Sequence, residues 1–209
     1  MNIGIIGAGQ VAQAFARKAI GAGHAVVLSN RRGPDSLAAL VEGLGPLANA
    51  ATPEEAVENP VVLLAVPWPE VDAALGSLPT WHGQILIDAT NGFEDGGLVD
   101  FDGGSSSETV ASLTPGARVI KAMNSLFMAN FALEPVSNDF RRVVFVSGDD
   151  SAAKTEVADL FESFGFASID LGTLRQGGRI QAVGAPLAGH DFFLPWPAPR
   201  SFPAFNGER

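Results

Sequence analysis

Gly7-Ala8-Gly9-Gln10-Val11-Ala12 carries the spacing G-x-G-x-x-A between the apolar residues 3–6 and a stretch of helical periodicity. What matters at such a turn is the missing side chains. Gly7 lets the backbone turn sharply, and Gly9 lets a phosphate approach the first amides of the helix, whose dipole favours an anion. Ala12, small in the third place, keeps helix and strand close. At a first strand-to-helix turn the motif implies a bound dinucleotide, with Gly7, Ala8, Gly9, Gln10 and Val11 along its pyrophosphate. An NAD site normally places an acid about 20 residues further on, to hold the ribose 2′-hydroxyl. This chain instead reads Ser29-Asn30-Arg31-Arg32, with the first acid at Asp35. Hydroxyl, amide and guanidinium groups bind a 2′-phosphate that a carboxylate would repel, so these four residues point to NADP(H).

Ala65-Val66-Pro67-Trp68 closes a later apolar run, and Asp88-Ala89-Thr90-Asn91-Gly92 closes the next. Ligands of doubly wound sheets bind outside the carboxyl ends of the strands. Ala65, Val66 and Pro67 are therefore expected to border the ribose and nicotinamide, and Thr90 and Asn91 to hydrogen-bond that end. Thr90 and Asn91 also suit a plain chain turn. Trp68 either stacks on a second ring or packs on the surface. Lys121 and Asn124 are expected where a strand passes into a loop, with Lys121 the one candidate for proton transfer, against an electrostatic or structural role. His190 is expected at the surface. His24, His82 and His190 are too scattered to pair on a metal, so none is expected. The absence of cysteine excludes disulfides, zinc ribbons, iron–sulfur clusters and thiol catalysis.

The elements that must position these residues alternate between short apolar runs and helical stretches. Residues 25–28, 61–66, 85–87, 119–120, 143–146 and 167–169 are predicted strands, continuous rather than alternating, as in a parallel sheet covered on both faces. Thr52-Pro53-Glu54-Glu55 starts a helix with a capping box. Asp149-Asp150-Ser151 caps another, whose Ala153, Val157, Leu160, Phe161 and Phe164 share one face. The fold expected is α/β, a doubly wound parallel Rossmann sheet with helices on both faces and extra C-terminal strand and helix elements. Residues 93–107, rich in Gly, Asp and Ser, are expected to form a mobile loop, and residues 177–189 are glycine-rich. One nucleotide-binding domain is expected over residues 1–194, followed by a proline-rich tail, 195–209, with Pro195, Pro197, Pro199 and Pro203.

Over the 209 residues, 13 basic against 23 acidic side chains leave a net charge of −10. That opposes the positive field that nucleic acid or an anionic membrane requires. With 46% hydrophobic and 17% charged residues the chain can build a core. No apolar run reaches the roughly 18–20 residues of a membrane span, and the first residues do not read as a signal peptide. A cytoplasmic protein acting on a small molecule is expected, with no nucleic-acid or membrane partner.

The glycine loop, Ser29-Asn30-Arg31, Val66-Pro67-Trp68, Val119-Ile120-Lys121-Ala122-Met123-Asn124-Ser125, Val146-Ser147-Gly148-Asp149-Asp150 and Gly184-Ala185-Pro186-Leu187-Ala188-Gly189 together resemble the NADP oxidoreductases dependent on coenzyme F420, a deazaflavin hydride carrier. The resemblance spans residues 1–189 and implies hydride transfer between NADPH and a deazaflavin or flavin-like acceptor, usually in a homodimer. A similar domain supplies NADPH-to-flavin transfer in membrane-bound ferric reductases. Where family members often continue into an apolar helix, His190-Asp191-Phe192-Phe193-Leu194 runs into prolines. Hydride exchange between two carbons needs proximity, ring stacking and exclusion of water more than acid–base groups. The second ring is expected between Val66-Pro67-Trp68 and Pro186-Leu187-Ala188-Gly189, with Asn124 nearby and no indispensable ionisable side chain. The alternatives are reduction of a small imine or carbonyl, as in proteins resembling pyrroline carboxylate reductases, and an NADPH-binding sensor without turnover.

Overall fold

The computed structural model describes residues 1–197, and strands form where the apolar runs are continuous. From the N-terminus come β1 (Asn2–Ile6), α1 (Gln10–Gly21), β2 (Ala25–Ser29), α2 (Ala38–Leu44), β3 (Ala48–Ala50), α3 (Pro53–Ala56) and β4 (Val61–Leu64). They are followed by α4 (Val71–Leu75), β5 (Ile85–Asp88), the hairpin β6 (Phe93–Glu94) and β7 (Gly97–Leu98), α5 (Ser106–Leu113) and β8 (Arg118–Ala122). The last are α6 (Met128–Ala132), β9 (Val136–Ser137), β10 (Phe140–Gly148), α7 (Ser151–Ser163), β11 (Ala167–Asp170), α8 (Leu174–Ile180) and β12 (Phe193–Pro195).

Six strands lie parallel in the order β3-β2-β1-β4-β5-β8. This is the doubly wound arrangement, with the winding reversing between β1 and β4. Beyond β8 the sheet is mixed, because β10 joins β8 antiparallel and β11 joins β10 parallel. Val146 pairs with Ala122 and Gly148 with Ile120, so residues 140–142 run on past the carboxyl end of β8. There β9 and β12 pair with them antiparallel. The boundary expected after Leu194 falls inside β12, and residues 198–209, with Pro199 and Pro203, lie outside the described residues.

Alternate strand residues face opposite sides. Ile3, Ile5, Leu63, Ile87 and Ile120 belong to the larger core, and Ile6, Val62, Leu64, Leu86 and Val119 to the smaller. Phe15, Phe131, Phe161, Phe164 and Phe166 cluster in the larger, with Phe131 stacked on Phe166 at 4.9 Å. Both expected caps form. Asp150 accepts from the Ala153 amide at 2.9 Å, and Thr52 and Glu55 close a reciprocal capping box. No helix among the described residues is long and apolar enough to cross a membrane.

One expectation needs correction, and two placements were not foreseen. Residues 93–107 are not a featureless loop: they form the β6–β7 hairpin and start α5, where Ser105 and Glu108 make a second capping box. The glycine-rich stretch begins in a helix, because packing outweighs glycine's poor helix propensity. A side chain at Gly177 would strike the Ser147 hydroxyl, so only glycine lets α8 lie this close to β10. Lys121 is the next-to-last residue of β8, where the strand passes into a loop as expected, but it is fully buried.

The Lys121 ammonium donates to Asp88 Oδ2 at 3.1 Å, to the Thr90 carbonyl at 2.6 Å and to Ser106 Oγ at 3.1 Å. Asp88, also fully buried, accepts further from the Thr90 amide and hydroxyl and from Ser107 Oγ. Burial pulls the lysine below its ordinary pKa, and Asp88 pulls it back up. Breaking such a pair by removing one partner leaves a lone buried charge. Lys121→Met is therefore expected to cost about 3–5 kcal/mol in urea unfolding. Adding Asp88→Asn to it should recover much of that loss; no recovery would mean that the pair is not what holds β5 to β8.

Candidate functional site

The glycine turn sits where the winding reverses. Gly7 has φ +117°, its amide donates to the Ser29 carbonyl at 2.9 Å, and a side chain there would collide with the Ala65 carbonyl of the β4 end. Gln13 Nε2 donates to the Ala8 carbonyl at 2.9 Å and braces the turn. Gly9 is the N-cap of α1 with no side-chain cap bond, and no acid stands in the first helical turn. A Cβ built on Gly9 meets nothing within 4 Å. An uncapped helix start facing open space fits a pyrophosphate. Gly9 and Gln10 are exposed there, with Ala8 and Val11 half-buried.

The four residues at the end of β2 divide sharply. Ser29 is fully buried and its hydroxyl donates to the Ile5 carbonyl at 2.9 Å. It ties β2 to β1 and does not offer its hydroxyl to a ligand, which corrects the expectation for it. The Asn30 amide is engaged within its own turn, accepting from the Arg32 amide at 2.8 Å and donating to Ser36 Oγ at 3.0 Å. Arg31 and Arg32 are the exposed cations, and Arg31 Nη1 lies 2.8 Å from Glu70 Oε2.

A cavity of about 340 Å³ opens beside the glycine turn. Its walls are Val11, Ala89 and Asn91, residues 123–128 after β8, and Val183, Gly184, Ala188 and Gly189. Asn91 Nδ2 donates to the Asn124 carbonyl at 3.0 Å, while Asn124 Nδ2 donates to Asn91 Oδ1 at 3.1 Å and to the Gln181 carbonyl at 2.8 Å. Met123 is buried at φ +66°, a left-handed conformation that costs a residue with a side chain about 1–3 kcal/mol. The far wall is fastened by the Gly189 amide on the Ser125 carbonyl at 2.7 Å, and by Arg142 on Asp191 at 2.7 and 3.3 Å. No ionisable side chain lines this cavity.

The structure brings Val11, Asn91, Asn124, Ala188 and Gly189 together here and leaves other candidates outside. Val66 borders the Gly7 turn and Ala65 lies behind it, while Pro67 leads into the 3₁₀ turn that follows β4. Trp68 packs edge-on against Phe101 at 5.2 Å and does not join Ala188 and Gly189 around one space. Leu187 is absent from the walls, and Pro186 lines a separate hollow with Gln176, Arg179 and Ile180. Thr90 is buried with its hydroxyl on Asp88. Lys121, sealed beneath, does not reach the cavity. His190 is exposed beside Phe192. Sequence reasoning missed Met123, Phe127, Met128, Val183 and Gly184 as walls. The glycine-rich composition of 177–189 was a usable signal for the last two, whereas nothing local marks a methionine with positive φ.

A family model described as NADP oxidoreductase, coenzyme F420-dependent, matches residues 2–92, from β1 through the glycine turn to Asn91. The solved structure of a hypothetical protein, SMa0349 from Sinorhizobium meliloti, is 37% identical and superposes with a TM-score of 0.86 over 92% of this chain and 94% of that one. A candidate F420-dependent NADP-reductase from Arthrobacter sp. FB24 is 26% identical, with a TM-score of 0.72 over 86% of this chain and 88% of its own. Metalloreductase STEAP3 of Rattus norvegicus is 32% identical over 183 residues, which are 87% of this chain. The chain spans 36% of the length of that curated relative. With the family match carrying the glycine turn, the basic β2 end and Asn91, the chain belongs to the family of coenzyme F420-dependent NADP oxidoreductases.

Proposed function

We propose that this chain is an NADP(H)-dependent oxidoreductase that moves hydride between NADPH and a flavin-like or deazaflavin acceptor. The observation that carries this is a cavity beside the glycine turn whose walls hold no ionisable side chain. Reduction of a carbonyl or imine needs a proton donor within hydrogen-bond reach. The only lysine near, Lys121, has all three of its N–H bonds spent below the floor. NADPH, when bound, supplies the hydride. Gly7, Gly9 and the amides that follow hold its pyrophosphate, and Arg31 and Arg32 its 2′-phosphate. Asn91 and Asn124 fix the floor, while Met123, Met128, Ala188 and Gly189 exclude water and set how closely two flat rings approach. The names of the relatives favour particular acceptors to try, F420 for one and a metal chelate for another.

Four variants test this. Gly9→Val should leave the melting temperature close to wild type, since its Cβ meets nothing, yet abolish NADPH binding in a fluorescence titration. Gly7→Ala should instead lose stability, because the new side chain meets Ala65 at a strained φ. A folded Gly9→Val protein that still binds NADPH would move the cofactor elsewhere.

Arg31→Ala should weaken NADPH by about tenfold, the worth of one charge-assisted bond, and leave NADH nearly unchanged. Equal loss of both would remove the 2′-phosphate from this end of β2.

Ala188→Phe fills the cavity and should slow single-turnover hydride transfer by about 10²-fold, with NADPH affinity preserved. The acceptor itself is identified by stoichiometric NADPH oxidation against F420, FMN, a quinone and a ferric chelate. Binding without oxidation under every acceptor would make the chain a sensor.

A further inference from the structure

The exposed ion pair at the β2 end has no evident task in folding. Arg31 and Glu70 are 80% and 43% exposed, and pairs of that kind contribute little to stability. They nevertheless join two pieces of chain 39 residues apart that flank the cofactor side of the sheet. Arg31 follows β2, where a doubly wound fold meets the ribose 2′ position. Glu70 ends a 3₁₀ turn, Trp68–Glu70, directly after the β4 end. That turn is stiff. Pro67 and Pro69 restrict it, the Glu70 amide donates to the Pro67 carbonyl at 3.0 Å, and Trp68 is packed against Phe101. The Glu70 carboxylate is thus presented to Arg31 from a fixed base, and at 2.8 Å it takes the Nη1 donor and sets its own negative charge beside the place where a 2′-phosphate would bind the guanidinium.

We infer that Glu70 is a specificity-determining positioning residue, which competes with the 2′-phosphate for Arg31 and so limits how strongly the chain prefers 2′-phosphorylated over unphosphorylated adenine nucleotides. The inference rests on the assignment of Arg31 to the 2′-phosphate proposed above. A phosphate that binds Arg31 either displaces Glu70 from Nη1, breaking one charge-assisted bond to make another, or binds the remaining donors with a carboxylate beside it. The net preference is smaller than the cation alone would give. Arg32, whose side chain makes no ion pair among the described residues, is not held back in this way.

The test uses two small probes, adenosine 2′,5′-bisphosphate and 5′-AMP, titrated calorimetrically into the full chain, so that no acceptor or turnover is involved. Glu70→Gln keeps the size and hydrogen-bonding capacity of the side chain and removes its charge. It should tighten the bisphosphate about twofold to fivefold and leave 5′-AMP unchanged, an effect the size of an exposed ion pair. The gain should shrink as salt is added and vanish in the Arg31→Ala background. No gain, an equal gain for both probes, or a gain that survives without Arg31 would overturn the inference while leaving the cofactor assignment standing. If Arg31→Ala alone leaves bisphosphate affinity untouched, the assignment of Arg31 falls and the role of Glu70 falls with it.

Discussion

Two opposite charges, Lys121 and Asp88, lie sealed from water at the carboxyl edge of the sheet, and the position of everything around the cavity depends on keeping them matched. Desolvating each ion costs several kcal/mol, which the attraction between them repays only if the remaining protons and lone pairs also find partners. The partners come from separate pieces of chain: Asp88 from β5, Thr90 from the turn after it, Ser106 and Ser107 from the first turn of α5. The Lys121 carbonyl also accepts from Gln181 Nε2, at the end of α8. A displacement of any one of these pieces would leave a buried charge short of a bond. Asn91 follows Thr90 directly and Asn124 lies three residues after Lys121, so the asparagine floor inherits its placement from the pair below it. A lysine that reads in sequence as a candidate acid is thus a member of the frame.

Much of that frame was legible because its signals are local. The run of residues 3–6 followed by Gly7-Ala8-Gly9 announces a strand, a turn and a helix within ten residues, and β1 and α1 form there. Thr52 with Glu55, and Asp150 with Ala153, cap the helices expected of them. The signals that were overlooked divide into two kinds. Ser105-Ser106-Ser107-Glu108 has the same capping logic as Thr52 to Glu55, but its Ser- and Gly-rich surroundings resemble a loop. The other kind is not local at all. That Ser29 turns inward to Ile5, that Lys121 meets an acid 33 residues away, and that α8 needs glycine to pass Ser147 are facts of packing between distant segments. Composition at those positions is compatible with either outcome, and the partner decides.

The two sides of the cavity are held by different physics. The floor is anchored in the parallel sheet and its buried ion pair. The wall of residues 183–189 follows α8 and has no strand or helix of its own. Val183 within it and Phe192 beside it keep 37% and 38% of their surface exposed, so apolar burial alone does not place it. Directional bonds do that instead. Arg142, nearly buried, grips both oxygens of Asp191 and also donates to the Glu134 carbonyl, while Gly189 bonds back to Ser125. Arg142 belongs to the part of β10 that continues past β8, so the antiparallel edge of the sheet supplies the clamp for the wall. A planar, bidentate grip fixes angle as well as distance.

That arrangement bears on what a cavity without ionisable side chains can accomplish. Proton-transfer catalysis places its energy in the groups that line the pocket, and such groups announce themselves by charge. Exchange of hydride between two rings places it in separation and orientation, where an error of an ångström is expensive. Charged groups then serve best outside the pocket, paired with an opposite charge, where their bonds set the walls. Lys121 with Asp88 under the floor and Arg142 with Asp191 behind the wall occupy those two positions. The walls that remain, glycine, alanine, methionine and amide, offer close approach and little else. Strain at Met123 lies at the junction of β8 with this floor, in a conformation sustained only because the ties on either side of it over-determine the backbone.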